Sequence, residues 1–182
     1  MPDVLLISGS PVAASKSASL LEYSRTWLRE NSGLDTALVS VRDFPAEDLI
    51  QAKFDSPAFD EFKRQVSTAY GLVIATPVYK AAYSGSLKAL LDILPQYGFR
   101  GKTILPIATG GSLGHLLAID YAVKPVLSTL GASDILQGVY LVDSQFRVED
   151  GKPVIADEIR ARLDESLAQL AANLEARAAA SH

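Results

Sequence analysis

Residues 4–11 read VLLISGSP, a continuous apolar run that ends in turn residues. A run of this kind is typical of a strand buried on both faces of a parallel sheet. The same pattern recurs along the chain at residues 37–41, 72–76, 103–108 and 139–142. The sequence therefore predicts five buried strands, four of them following the first at intervals long enough for a helix.

The intervals between these runs carry apolar residues at helical spacing. We predict helices around residues 20–30, 57–70, 87–94, 116–130 and 159–174, with a capping box at residues 19–22 and a short helix near Leu49. Strands that alternate with helices favour a parallel sheet covered on both faces. The predicted fold is α/β, a flavodoxin-like three-layer sandwich with a five-stranded parallel sheet in the order 2-1-3-4-5, flanked by helices.

The composition limits the kind of protein. A length of 182 residues with 48% hydrophobic content fits one domain spanning residues 1–182. The absence of cysteine excludes disulfides and thiolate catalysis. We expect no metal site, because His115 has no second histidine, aspartate or glutamate at a ligand spacing.

The charge and hydropathy patterns argue against two classes of partner. The chain has 17 basic and 21 acidic residues, a net charge of −4, and no basic block, so nucleic acid is not an expected partner. Residues 1–3 lack the basic start of a signal peptide, and no apolar run approaches the roughly 18 residues that cross a bilayer. We expect a cytoplasmic protein without a membrane partner.

The first candidate site segment is the loop at residues 8–17. In an open parallel sheet, ligands bind beyond the carboxyl ends of the strands, here where strand order reverses between the first and third strands. This loop places Ser10, Ser15, Lys16 and Ser17 before a helix N-terminus, which is a natural phosphate site. Serines are also common in ordinary turns and caps, so both interpretations stay open. The loop matches neither the dinucleotide-binding glycine pattern nor a Walker loop.

The second candidate segment follows the third strand at residues 77–88. It contains Pro77, Val78, Tyr79 and Lys80, which offer an aromatic face and amide donors to a flat ring. The alternative is an aromatic-rich crossover that packs on its own helix. Proximity to the first loop favours the ligand-binding interpretation.

The third candidate segment follows the fourth strand and contains Thr109, Gly110 and Gly111. A loop with so few side chains lets backbone N–H groups approach the edge of a ligand closely. Glycines after a strand are equally explained by the turn itself.

Pro125 stands inside the predicted helix at residues 116–130. Proline cannot donate a hydrogen bond to the carbonyl of Tyr121, so the helix should kink or bulge beside that residue. Bulges of the π type are frequent at functional sites. A proline kink that merely fits the core is the alternative.

These segments, in this order and spacing, resemble the NAD(P)H-dependent FMN reductase family, in particular the reductase component of two-component alkanesulfonate monooxygenase systems. The likeness rests on the Gly-Ser-Pro turn with Ser15 and Ser17, the block ATPVYKAAYSG at residues 75–85 and ATGG at residues 108–111. It extends to LLEY at residues 20–23 and HLLAIDYAVKP at residues 115–125. The likeness covers nearly the whole chain.

The resemblance implies hydride reduction of FMN by NADPH or NADH, with the reduced flavin passed to a partner FMNH2-dependent monooxygenase in organosulfur metabolism. The FMN phosphate is then held by Ser10, Ser15, Lys16 and Ser17. The isoalloxazine ring is held by Pro77, Val78, Tyr79 and Lys80. The pyrimidine side of the ring is lined by Thr109, Gly110 and Gly111.

The resemblance also implies a homodimer or homotetramer, with Tyr121 in a bulged helix at a subunit contact and associated with flavin exchange. One departure is Val12, since many relatives have an arginine at that position. The chemistry belongs to the two nucleotides, so positioning residues and no acid–base catalytic residue are expected.

Three rival functions remain. The first is a quinone, azo-dye or chromate reductase that retains its flavin. The second is a flavodoxin-like electron carrier, although its usual threonine-rich phosphate loop and strongly acidic surface are missing. The third is a non-enzymatic receiver or ligand-binding module. A receiver requires an aspartate at the end of the third strand, where this chain has Thr76.

Overall fold

The computed structural model describes residues 1–149 and 152–180. The strands of the main sheet are β1 (Val4–Ser8), β2 (Thr36–Ser40), β3 (Gly71–Tyr79), β4 (Ala82–Tyr83), β5 (Thr103–Gly110), β6 (Asp134–Ile135) and β7 (Val139–Val142). The order is β2-β1-β3-β5, and β6 and β7 both pair with β5. All these pairings are parallel except that of β4, which pairs antiparallel with the end of β3.

This topology confirms the predicted sandwich and the order 2-1-3-4-5. The fifth strand is broken, however, into β6 and β7. Gly138 stands in the break with φ 89°, and a Cβ there would lie 2.8 Å from the carbonyl oxygen of Pro106. Glycine is therefore required by both backbone conformation and close approach to β5.

The helices are α1 (Lys16–Ser32), α2 (Ala46–Ile50), α3 (Asp60–Thr68), α4 (Gly85–Asp92), α5 (Lys124–Thr129) and α6 (Asp157–Ala180). Alternate residues of β1 point to opposite faces of the sheet. Leu5 and Ile7 pack in a core with α3 and α4, whereas Val4 and Leu6 pack in a second core with α1 and α6. These two cores account for strands that carry apolar residues on both faces.

Two boundary predictions are wrong. Helix α1 begins at Lys16, three residues before the predicted capping box, because the Ser15 hydroxyl accepts a hydrogen bond from the N–H of Ala18 at 3.1 Å and caps the helix there. The single helix predicted at residues 116–130 is instead a 3₁₀ turn (Leu113–His115), a π-helix (Ile119–Val123) and the short α5.

A second sheet is an antiparallel hairpin of β8 (Phe146–Glu149) and β9 (Lys152–Ile155), which the sequence did not predict. Phe146 and Ile155 are buried in the core that α6 covers. Across the described ranges, no helix combines the length and the apolar character needed to cross a membrane.

Candidate functional site

The first segment connects β1 to α1 and exposes its middle. Residues 11–14 are exposed, Ser15 and Lys16 are half-buried, and Ser10 and Ser17 are buried. The Ser10 hydroxyl accepts from the N–H of Val12 at 3.2 Å, and the hydroxyls of Ser15 and Ser17 lie 3.3 Å apart. The first turn of α1 is Lys-Ser-Ala-Ser, without an acidic side chain, so its positive dipole end is available to an anion.

The second segment is a β-hairpin followed by the first turn of α4, which corrects the prediction of a loop at residues 77–88. Strand β3 continues to Tyr79 and pairs with β4, opposing Val78 to Tyr83. The two residues between the strands, Lys80 and Ala81, have φ values of 50° and 66°. Positive φ at both central residues is the geometry of a type I′ turn.

This hairpin turn is strained, because neither Lys80 nor Ala81 is a glycine. The left-handed region costs an L-residue roughly 1–2 kcal/mol. Such strain tends to cluster at ligand-binding sites, where the surrounding structure enforces it. Lys80 and Tyr79 are both exposed, with Tyr79 48% exposed, so the turn presents an aromatic ring and a lysine to solvent.

The third segment is partly strand rather than loop, which corrects a further prediction. Thr109 and Gly110 are the last two residues of β5 and are buried, whereas Gly111 and Ser112 are exposed. A Cβ on Gly110 would overlap the hydroxyl of Tyr140. The same hydroxyl donates to the carbonyl of Ser112 at 2.7 Å, so Tyr140 of β7 fixes the course of this segment.

Hydrogen bonds join the first two segments. The Ser84 hydroxyl donates to the carbonyl of Gly9 and also caps α4 by accepting from the N–H of Leu87. Ser86 donates to the same Gly9 carbonyl at 3.2 Å. The Thr76 hydroxyl accepts from the N–H of Ser84 at 3.0 Å, which closes the base of the hairpin.

The third segment lies beside the second. Pro77 is the register partner of Thr109 in the parallel pairing of β3 with β5. The Cβ of Val78 is 3.5 Å from the position that a Cβ on Gly110 would take. The three predicted segments therefore meet at one edge of the sheet, as the carboxyl ends of parallel strands should.

The π-helix at Ile119–Val123 confirms the predicted distortion at Tyr121. The N–H of Lys124 bonds to the carbonyl of Ile119, five residues earlier. Buried Ile119 packs with Tyr140 in a small core beneath the second and third segments, and Tyr121 is 78% exposed. The π-helix is therefore adjacent to the candidate site and presents a tyrosine to solvent.

The charged groups at the site are few. Lys16 forms an ion pair with Asp143, with Nζ 2.9 Å from Oδ1. Burial raises the pKa of Tyr140, and the negative charge of Asp143 raises it further. Tyr140 therefore stays a neutral hydrogen-bond donor at neutral pH. His115 is exposed in the 3₁₀ turn after the third segment.

This geometry has counterparts among known proteins. A sequence profile of the NADPH-dependent FMN reductases matches residues 2–147. The chain belongs to that family. Membership confirms the predicted enzyme class, an NAD(P)H-dependent FMN reductase, and with it FMN and a nicotinamide nucleotide as the small-molecule partners.

Individual relatives agree with this assignment. The chain is 51% identical over 166 residues to FMN reductase (NADPH) of Pseudomonas putida, covering 90% of this chain and 84% of that protein. It is 50% identical over 166 residues to FMN reductase (NADPH) of Escherichia coli, covering 90% and 85%. Among solved structures, the apo form of an NADH:FMN oxidoreductase is similar with a TM-score of 0.86 and 35% identity, covering 95% of this chain and 90% of that one.

The structure adds three residues that the sequence analysis did not select. In the sequence, Ser84 is one residue of the block at 75–85, Tyr140 is one of four predicted strand residues, and Asp143 belongs to no motif. A buried tyrosine near the end of a strand needs a hydroxyl partner, which is a signal that marks Tyr140. The contacts of Ser84 and Asp143 join residues 75 and 127 positions apart.

Proposed function

We propose that this reductase binds FMN as an exchangeable substrate across the three converging segments and passes the reduced flavin to a partner FMNH2-dependent monooxygenase. The observation that carries the proposal is the meeting of the N-terminus of α1, the strained hairpin and the exposed residues that follow β5 at one sheet edge. The donor set is made of hydroxyls, backbone amides and two lysines, Lys16 and Lys80. Such a set suits a phosphate joined to a flat, hydrogen-bonding ring.

The proposed contacts follow the sequence assignment. The phosphate lies against Ser10, Ser15, Lys16 and Ser17. The ring lies against Pro77, Val78, Tyr79 and Lys80. Its pyrimidine edge faces Thr109, Gly110 and Gly111.

The two nucleotides supply the chemistry, a hydride that leaves the nicotinamide and is accepted by the flavin. The chain contributes geometry, because it holds the flavin ring where the donor carbon of the nicotinamide can approach it. Positioning the two reactants in this way removes a large part of the barrier in such reactions. Backbone N–H groups of the second and third segments stabilise the negative charge that develops on the pyrimidine side. NADPH is the proposed donor, in line with the names of the two relatives at about half identity.

We extend the proposal to assembly. Four large apolar side chains are exposed on the stretch that runs into the π-helix: Leu113, Leu116, Leu117 and Tyr121. A second copy that covered this surface would give the homodimer or homotetramer that the sequence resemblance implies. Tyr121 then stands at a subunit contact beside the flavin and tunes flavin exchange.

The organosulfur setting rests on the resemblance in residues 20–23 and 115–125. The proposed partner monooxygenase acts on an alkanesulfonate-type compound in the cytoplasm. Sulfite release from an alkanesulfonate, in a reaction that couples this reductase to a candidate monooxygenase, tests the pairing. Equal sulfite release with photochemically reduced FMN and no reductase shows that the monooxygenase itself is competent.

The first experiment is steady-state oxidation of NADPH and NADH with FMN varied. An exchangeable substrate predicts a rate that saturates in free FMN and a purified protein without stoichiometric flavin. A flavin-retaining quinone, azo-dye or chromate reductase instead shows bound flavin and no dependence on added FMN. A one-electron carrier shows no steady oxidation with FMN alone, and either result overturns the proposal.

The second experiment isolates Tyr121 by stopped-flow measurement of flavin release. Replacement by alanine should change the release rate while FMN still binds, because the ring-binding segments are intact. Tyr70→Ala is the matched control, since Tyr70 is 65% exposed and precedes β3 at the opposite end from the site. Equal release rates in the Tyr121→Ala variant and the unmodified enzyme would remove Tyr121 from the exchange step.

A further inference from the structure

Lys16 is the only basic side chain between residues 9 and 24. It is the first residue of α1, so its ammonium is the one positive side chain that the first segment brings to a bound phosphate. Val12, which is exposed in the same loop, carries no charge, so the side-chain charge that the first segment offers a phosphate depends on this lysine. What else holds Lys16 therefore matters for flavin affinity.

Asp143 holds Lys16 in the structure. The Lys16 Nζ lies 2.9 Å from the carboxylate Oδ1 and donates to the backbone carbonyl of the same residue at 3.2 Å. The two residues are 127 positions apart, and Asp143 immediately follows β7. The contact thus ties the first segment to the end of the fifth strand of the sheet.

The carboxylate of Asp143 also faces the third segment. Its Oδ2 lies 3.8 Å from the position of a Cβ on Gly111. The Lys16 and Asp143 side chains are 35% and 51% exposed, so the ion pair is accessible to solvent and can open without unfolding. A group at this place competes with any anion that approaches Lys16 between the first and third segments.

We propose that Asp143 competes with the FMN phosphate for Lys16 and thereby keeps flavin binding weak enough for release. This inference rests on the proposed use of FMN as an exchangeable substrate, and it adds a residue that sets the affinity. Opening an exposed ion pair costs little free energy, so it raises the Kd for FMN by a factor of about two to five. The same factor applies to oxidised and reduced FMN, because both carry the phosphate.

The test measures FMN binding to the Asp143→Asn variant, with quenching of flavin fluorescence as the readout. Asparagine keeps the side-chain shape and the backbone carbonyl while it removes the charge. The Kd for FMN should fall about two- to fivefold, the size expected for a released exposed pair. The Kd for riboflavin, which has no phosphate, should not change.

Two further variants separate the mechanism from general electrostatics. Glu61→Gln removes one negative charge from an ion pair with Arg64 on α3, outside the three segments, and should leave the FMN Kd unchanged. In a Lys16→Met background, the Asp143→Asn substitution should no longer tighten binding. The coupling between the two positions measures the competition directly.

Three results overturn the inference: an unchanged FMN Kd in Asp143→Asn, an equal tightening for riboflavin, or an equal tightening in the Lys16→Met background. The last assigns the effect to direct repulsion between carboxylate and phosphate. Failure of the proposed function is distinguishable, because the unmodified enzyme would then retain bound flavin or show no dependence of NADPH oxidation on added FMN before any variant is compared.

Discussion

Gly110 and Tyr140 should be energetically coupled. A Cβ on Gly110 would overlap the Tyr140 hydroxyl, and Tyr140 is only 3% exposed, so the ring has little room to move. Overpacking of this kind costs about 1–3 kcal/mol. We expect Gly110→Ala to lower the free energy of unfolding by about 2 kcal/mol, which lowers Tm by roughly 4–8 °C for a chain of this size.

The partner substitution relieves the overlap. Tyr140→Phe loses the hydrogen bond to the Ser112 carbonyl, which is exposed and can bind water, so this change alone should cost about 1 kcal/mol. Without the hydroxyl, the nearest neighbours of a Cβ on Gly110 are the ring carbon at 3.3 Å and Val78 Cβ at 3.5 Å. The double variant should therefore lose about 1–1.5 kcal/mol rather than the additive ~3.

Urea denaturation of the four proteins measures this coupling, with equal m values as the check that the transitions are comparable. Gly85→Ala is the matched control, because nothing lies within 4 Å of a Cβ at Gly85. It should be neutral or stabilising by up to about 1 kcal/mol. An additive double variant would refute the assignment of the strain to the Tyr140 hydroxyl.

Three other substitutions test the rest of the site and its support. Ala81→Gly should raise the free energy of unfolding by about 0.5–1 kcal/mol, because glycine relieves the strain of positive φ. Ala82→Gly in the adjoining strand should lower it by a similar amount. If urea denaturation shows both variants shifting the free energy of unfolding in the same direction, the turn assignment is contradicted. Ser84→Ala should lower it by about 2 kcal/mol, because a helix cap and a buried bond to the Gly9 carbonyl are lost together; a loss under about 0.5 would show that the contact is dispensable. Burial lowers the pKa of Lys102 below its ordinary 10.5. Between the folded and unfolded pKa values the unfolded state therefore binds more protons, so the free energy of unfolding rises with pH. Lys102→Met should flatten that rise in denaturation curves taken from neutral to alkaline pH, and an unchanged slope would contradict the assignment.

The sheet order was predictable because each strand carries apolar residues on both faces and is separated from the next by a helical interval. The π-helix was predictable because Pro125 removes a specific hydrogen bond. The break in the fifth strand was not, since nothing local distinguishes Gly138 from an ordinary turn glycine. The close approach of the Pro106 carbonyl, which leaves no room for a Cβ at Gly138, is known only once β5 and β7 are adjacent.

The hairpin in the second segment was missed for a related reason. A type I′ turn favours asparagine and glycine at its two central positions. This chain has Lys80 and Ala81 there, so the sequence carries no local signal of the turn. Tertiary hydrogen bonds impose the turn. The Thr76 hydroxyl accepts from the N–H of Ser84, and the Ser84 hydroxyl donates to the Gly9 carbonyl of the first segment. The sequence therefore predicts which segments meet at the sheet edge, while the shape they adopt depends on contacts between distant segments.

The fifth strand carries none of the predicted ligand residues, yet it positions two of the three segments. Tyr140 fixes Ser112, and Asp143, three residues later, holds Lys16. Both depend on the register of β7, which pairs residues 139–142 with residues 107–110 of β5 after the break at Gly138. A shift of one residue in that register would turn Tyr140 to the opposite face of the sheet and move Asp143 away from Lys16 at once. The glycine in the break thus acts on the site through strand register rather than through contact.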